Sequence, residues 1–275
     1  MKPADDAAQP PPEQGYSAKW SSHDESPTRQ CIRRNVYGDD YPVEADPRSY
    51  VTLTELRALA RDLRVGAGQT FIDLGCGQGG PGLWVARETG AALMGIDLSS
   101  IGIARASERA REFGVADRSR FQVTDLTATG LPDASFDAGM SVDVLWSVPD
   151  KLGALREAAR ILKPGARFAF TNWDRDLTPP GYLPPLNDHR PLLEQAGFEV
   201  ETYQVQPDAE AKRRAVYEAI VAAEQDLIRE MGDEGAARLM FEAKGTLGLT
   251  DGIDYLAHSR RIYVVARNAG SSAAR

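Results

Sequence analysis

The apolar positions of this chain fall into two alternating rhythms. Short apolar runs at 71–74, in the stretch ending at Asp97, and at 120–123, 136–141 and 167–171 read as strands. Between them, apolar residues recur three and four apart, the spacing of a helix face. One such segment carries Ile101, Ala104 and Ala110 between a capping Ser99 and Gly114, and another carries Leu152, Leu155, Ala158, Ala159 and Leu162 after Pro149-Asp150. Ahead of the first strand, Asp46-Pro47 reads as a helix start, with Val51, Leu53, Leu56, Leu59, Ala60 and Leu63 forming its apolar face. Five alternations predict an α/β fold, a doubly wound, mainly parallel sheet with ligands at the carboxyl ends of its strands.

The C-terminal part leaves this rhythm. A short helix at 192–196 leads to a strand from Gly197 to about 205 and then a long helical stretch, 208–244. In it Val216, Ile220, Leu227, Ile228 and Met231 recur at helical spacing, and Leu239, Met240 and Phe241 follow a break at Gly232. A final strand covers 262–266. That much helix exceeds what a crossover needs, which predicts a cap over the strand ends; a helix pair packed on the sheet face is the alternative. The expected plan is a disordered N-terminal segment 1–29, a core 30–206, a cap insertion 207–258, a last core strand 259–267 and a flexible tail 268–275.

Chemistry concentrates where the first strand meets the first helix. Glycines at 75, 77, 79, 80 and 82 follow the apolar run, Asp73 interrupts it, and the next strand ends in Asp97. A glycine turn lets backbone approach a ligand, and the helix N-terminus behind it offers free N–H groups. An acid closing the following strand can accept both hydroxyls of a ribose. The pattern describes a nucleoside-cofactor site. Gly75-x-Gly77-x-x-Gly80 fits the dinucleotide fingerprint, so an NAD(P)-dependent oxidoreductase is one reading. Asp73 pulls away from it, because a buried carboxylate under the turn calls for donors or a cationic ligand rather than a pyrophosphate.

Composition narrows the partners. A formal charge of −8 without a clustered basic face excludes a nucleic-acid footprint, and the pairs Arg33-Arg34, Arg213-Arg214 and Arg260-Arg261 read as solvated surface. Two cysteines, Cys31 and Cys76, give no disulfide framework. No apolar run is long enough to span a membrane and no signal-like stretch opens the chain, so a cytoplasmic enzyme is expected. No His/Asp/Glu set has metal-ligand spacing, so no metal is predicted. The apolar cap helices could serve as an interface in a homo-oligomer.

With this order laid out, residues 46–267 resemble the class I S-adenosylmethionine (SAM)-dependent methyltransferases, and more narrowly the small-molecule methyltransferases of bacterial secondary metabolism. The resemblance rests on FIDLGCGQG at 71–79, GIDLS at 95–99, TDL at 124–126, FDAGMSVD at 136–143, ARILKPGARF at 159–168 and AGFEV at 196–200. It implies a seven-stranded sheet of order 3-2-1-4-5-7-6 with strand 7 antiparallel. It also implies site roles: Gly75 and Gly77 approach the methionine part of SAM and Asp73 orders that turn. Asp97 takes the ribose hydroxyls and Leu98 packs on the adenine. Asp125 accepts from the adenine amino group beside Leu126, with turn capping as its alternative role, and Ser141 or its backbone faces the methionine end.

In related O-methyltransferases the loop after strand four carries an acid and, four residues later, a histidine base. The matching positions here are Asp143 and Ser147, so the histidine is missing. Asp143 is then the candidate base or substrate anchor, and His189, just before the helix that follows strand five, is the second catalytic candidate. His23 and His258 lie in the N-terminal segment and near the cap hinge. Trp146 and Trp173, read as following strands four and five, suit an apolar acceptor or cation–π contact with the sulfonium. The expected activity is methyl transfer from SAM to a small, largely apolar metabolite of natural-product type. A cyclase-like catalyst that holds SAM without transferring its methyl is the alternative within the superfamily.

Overall fold

The computed structural model describes residues 26–46 and 48–270. Its strands are β1 (Thr70–Leu74), β2 (Ala92–Asp97), β3 (Ser119–Val123), β4 (Phe136–Val142), β5 (Leu162–Arg175), β6 (Phe198–Val205) and β7 (Ser259–Asn268). They form one sheet in the order β3-β2-β1-β4-β5-β7-β6. The first five pair in parallel, whereas β7 runs antiparallel to both β5 and β6. This is the expected order, and it differs from the 3-2-1-4-5-6 arrangement of dinucleotide-binding sheets. The helices are α1 (Pro27–Tyr37), α2 (Leu53–Asp62), α3 (Gly80–Thr89), α4 (Ser100–Glu112), α5 (Lys151–Ile161), α6 (Arg190–Gln195), α7 (Ala209–Ala222) and α8 (Glu224–Thr246).

A parallel sheet is covered on both faces by its crossover helices, so its strands are apolar on both sides. Phe71, Met140, Ala169 and Val265 pack with Leu56 and Leu59 of α2 and with Leu83 and Trp84 of α3. Their neighbours Ile72, Phe168, Phe170 and Val264 point the other way, toward Leu155 and Ile161 of α5 and Leu193 of α6. A third cluster stands apart from both layers: Tyr37 of α1, Val216, Tyr217 and Ile220 of α7, and Leu227 and Leu239 of α8. The helices inserted between β6 and β7 therefore share a core with α1. Ser26 Oγ and Thr28 Oγ1 donate to Glu230 at 2.6 and 2.7 Å, tying the start of α1 to α8. Within α8, Gly232 adopts φ 73° and kinks the helix where its pattern breaks.

Several expectations change. The helix before β1 starts at Leu53, because Thr52 and Glu55 form a reciprocal capping box. Asp46 instead accepts from the Tyr41 hydroxyl at 2.6 Å, and Pro47 lies outside the described residues. So do residues 1–25, with His23, and 271–275; positions 27–29 of the segment expected to be disordered open α1, and Asn268 ends β7. β5 runs on through Trp173, Asp174 and Arg175, well past its apolar run, because β7 supplies ladder partners that place Trp173 opposite Arg261. The arginine pairs are not plain surface: Arg33, Arg213 and Arg261 are 7%, 5% and 2% exposed.

Arg261 explains how such burial is tolerated. Its Nε donates to Glu55 of α2 at 2.8 Å and its Nη1 to Asp143, just past β4, at 2.6 Å. Burial works against the charge, but Asp143 and Glu55 outweigh it and hold the guanidinium above its ordinary value. Removing one partner from a buried ion cluster leaves the others uncompensated, at a cost of about 3–5 kcal/mol. Arg261→Met is expected to lower the unfolding free energy by about that amount in urea titrations. A loss below about 1 kcal/mol, the range of an exposed pair, would contradict the role assigned to this cluster.

Candidate functional site

The carboxyl ends of β1, β2 and β3 are stitched together by backbone. Gly75 and Cys76 N–H both donate to Ile96 O, at 2.8 and 2.9 Å, and Thr124 N–H donates to Asp97 O at 3.0 Å. The glycine turn between β1 and α3 needs its glycines for two reasons. Gly75 has φ 77°, and a Cβ there would lie 2.5 Å from Val144; a Cβ on Gly80 would lie 2.0 Å from the Ala45 carbonyl oxygen. Two acids stand against this turn. Asp97 accepts from Gly77 N–H at 2.9 Å and Ser99 N–H at 2.8 Å, and it is only partly buried. Burial raises its carboxyl above the ordinary value, against those N–H bonds and a third from Leu98.

Asp73 is the more perturbed of the two. It is 1% exposed, one oxygen meets the Gly82 N–H, and Oδ1 has no hydrogen-bond partner. Burial first, then the charge of Asp97, pushes its carboxyl up to about 7. The same burial and the same two acids raise the Cys76 thiol well above its usual value, leaving it a neutral packing group. Further along the edge, Leu98 is partly buried and Leu126 is buried. Asp125 is exposed, and its Oδ1 caps the turn by accepting from Thr127 N–H and Oγ1, both at 2.7 Å. Ser141 Oγ donates to Leu74 O at 2.8 Å, joining β4 to β1 and leaving its backbone at the strand end.

The catalytic candidates lie after β4 and β5, and both are engaged. Asp143, in a left-handed backbone conformation with φ 56°, accepts from Arg261, from Thr171 Oγ1 at 3.1 Å and from Tyr50 N–H at 3.0 Å. It is a loop anchor, and its oxygens point into that cluster. His189 is 1% exposed, with Nδ1 2.7 Å from Asp174 Oδ1 and Nε2 2.8 Å from Asn172 Nδ2. Asp174 also accepts from the Tyr203 hydroxyl, so the His189 ring is held between this carboxylate at Nδ1 and the Asn172 amide at Nε2. Trp173 lies inside β5, not after it, and is 3% exposed between the guanidiniums of Arg213 and Arg261. Trp146 follows β4 as expected, with Nε1 donating to Asp143 O, and it borders a cleft together with Lys151, Arg175, Tyr182 and His189.

Sequence reading missed Glu55, Arg261 and Arg175. An acid in a first helical turn and an arginine in a terminal strand carry no signal of their meeting, 206 positions apart. Among the described residues, no group of three or more His, Cys, Asp or Glu is arranged to hold a metal ion, and no helix is long and apolar enough to cross a membrane.

Comparison with known proteins bears on this geometry. Residues 72–170, which include both acids and the glycine turn, match the methyltransferase-domain family. The chain carries a class I SAM-dependent methyltransferase domain. It is 29% identical over 231 residues to the methyltransferase GfsG of Streptomyces halstedii, covering 76% of this chain and 81% of that one. It is 38% identical over 112 residues to the 27-O-demethylrifamycin SV methyltransferase of Amycolatopsis mediterranei, covering 41% of each. Thus it spans most of one relative but less than half of the other. In fold it is similar to the [4+2]-cyclase SpnF, with a TM-score of 0.72 and 23% identity over 94% of this chain and 96% of that one.

The domain is an enzyme of methyl transfer with SAM as cofactor. The residues present fit that cofactor. A buried carboxylate oxygen without a donor, beside a turn that side chains would block, suits a cation and not a pyrophosphate. A carboxyl raised from the ordinary acid range to about 7 favours the unfolded state as it ionises, so folded stability falls as pH climbs through that interval. Asp73→Asn removes this liability. Its stability relative to the parent should increase between pH 5 and pH 7 by up to about 1.4 kcal/mol per pH unit and level off above, read from urea midpoints of the ligand-free proteins. Parallel profiles for the two proteins would contradict the raised carboxyl.

Proposed function

We propose that the enzyme methylates a small, largely apolar metabolite of natural-product type, with the cofactor held across the ends of β1, β2 and β3. In this reading Gly75 and Gly77 leave room for the methionine part, and Asp73 orders the turn through Gly82 while its other oxygen meets the cofactor's positive charge. Asp97, still partly exposed, takes the ribose hydroxyls with its remaining lone pairs. Leu98 and Leu126 flank the adenine, and Asp125 offers Oδ2 to the exocyclic amine while Oδ1 keeps the turn. The observation that carries this reading is the unpartnered oxygen of Asp73 beneath a turn that only glycine can form. Bound there, SAM supplies an electrophilic methyl group.

The chain's own contribution is mainly alignment, which can lower the barrier by several kcal/mol. Asp143 holds the loop through Arg261 and is not proposed as a base. His189 is oriented by Asp174 as a base would be, but its other nitrogen faces Asn172. Proton removal therefore rests on solvent or on the nucleophile's own acidity, unless the Asn172 contact opens. The cap and α1 close the side on which the acceptor would bind.

Asp97→Ala is expected to weaken SAM binding about ten- to a hundredfold, the loss of one or two hydrogen bonds to a charged acceptor, measured by calorimetry. Incubation with SAM and a pool of apolar natural-product intermediates should yield S-adenosylhomocysteine and a product heavier by one methylene. Conversion without S-adenosylhomocysteine would favour the cyclase-like alternative. Absence of SAM binding by the parent protein would sink both.

A further inference from the structure

β5 ends in Arg175, whose guanidinium borders the cleft with no carboxylate partner among the described residues. The residue is 9% exposed, its Nε is buried without a hydrogen bond, and no described residue pairs with the guanidinium. Other buried arginines differ: Arg261 meets two carboxylates, and Arg213 donates to the Tyr217 hydroxyl at 2.9 Å. Of the neighbouring acids, Asp174 holds His189, Asp176 is exposed, and Glu242, whose charge reaches Arg175, accepts from the Tyr217 hydroxyl. A second cation shares the cleft: Lys151 Nζ donates to the Val148 carbonyl at 2.9 Å and has no carboxylate partner among the described residues. Burial, then the charge of Arg213, pulls Arg175 down to about 10, and burial with Arg175 itself lowers Lys151. At that value Arg175 remains protonated at neutral pH.

The aromatic side of the cleft is built around this charge. The Arg175 guanidinium lies 5.4 Å from the centre of the Trp146 ring, and Trp146 leans on Tyr182 with ring centres 6.2 Å apart. Two residues before Trp146, Val144 rests against Gly75 of the cofactor turn, so the cleft adjoins the side from which an acceptor must approach. A buried guanidinium without a counter-charge is unfavourable, and its planar fork matches a carboxylate or phosphate.

We propose that Arg175 and Lys151 form an anion subsite for the acceptor, which carries a carboxylate or phosphate group and lays its apolar body along Trp146 and Tyr182. This rests on the methyltransferase reading above and sharpens its acceptor from apolar to amphiphilic.

The test uses the full chain loaded with S-adenosylhomocysteine, titrated calorimetrically with 1-naphthoate, 1-naphthyl phosphate and 1-naphthol. One anion at least should bind tenfold or more tighter than the naphthol, and the tighter of the two identifies the group. Arg175→Met should abolish the preference, Arg175→Lys should keep part of it, and Lys151→Met should reduce anion affinity severalfold. Cofactor-product binding should persist in all three; should Arg175→Met fail to fold, the other two variants decide. Equal binding of naphthol and anions, an anion preference that survives Arg175→Met, or no saturable anion binding at millimolar concentration would each overturn the subsite. Failure of the parent protein to bind S-adenosylhomocysteine would count against the cofactor site instead.

Discussion

The site depends on one buried ion cluster. Arg261, from an antiparallel strand near the end of the chain, bridges Glu55 at the start of α2 and Asp143 just beyond β4. A charge in that position is tolerated because each partner is also hydrogen-bonded: Glu55 accepts from Thr52 N–H in the capping box, and Asp143 from Thr171 and Tyr50. The cluster fixes the direction in which the chain leaves β4. Val144 consequently meets the glycine turn, and Trp146 borders the cleft, its indole held by the Asp143 carbonyl. The same cluster occupies both carboxylate oxygens of Asp143.

Charge is divided along the carboxyl edge of the sheet. Asp73 and Asp97 make the β1–β2 end acidic, which fits a cationic cofactor. Arg175 and Lys151 make the β4–β5 end basic. A sulfonium and an anionic acceptor would then each meet opposite charge from the protein and attract one another across the gap between them. The formal charge of −8 conceals this division, because it sums over a surface that faces neither ligand.

Much of this was legible in the linear chain. The strand and helix rhythm, the capping Ser99, the break at Gly232 and the acids beside the glycine turn all arise from neighbours in sequence. Backbone geometry and local spacing determine such features, so they can be read before folding is considered. Even the preference for SAM over NAD was present in Asp73, a carboxylate placed where its burial could be foreseen.

What tertiary structure alone decided was the fate of charged side chains. Each Arg-Arg pair looked like surface, yet one member of each is buried, Arg261 against carboxylates from two distant segments. β5 outran its apolar pattern because β7 supplied hydrogen bonds, and that extension drew Trp173 into the interior and set Arg175 at the cleft. His189 lay near the expected pocket, but Asp174 and Asn172 took both its nitrogens. Glycine conformation and apolar periodicity are local properties of the chain. The stability of a buried charge depends on what lies opposite it in space, and only the folded chain supplies that partner.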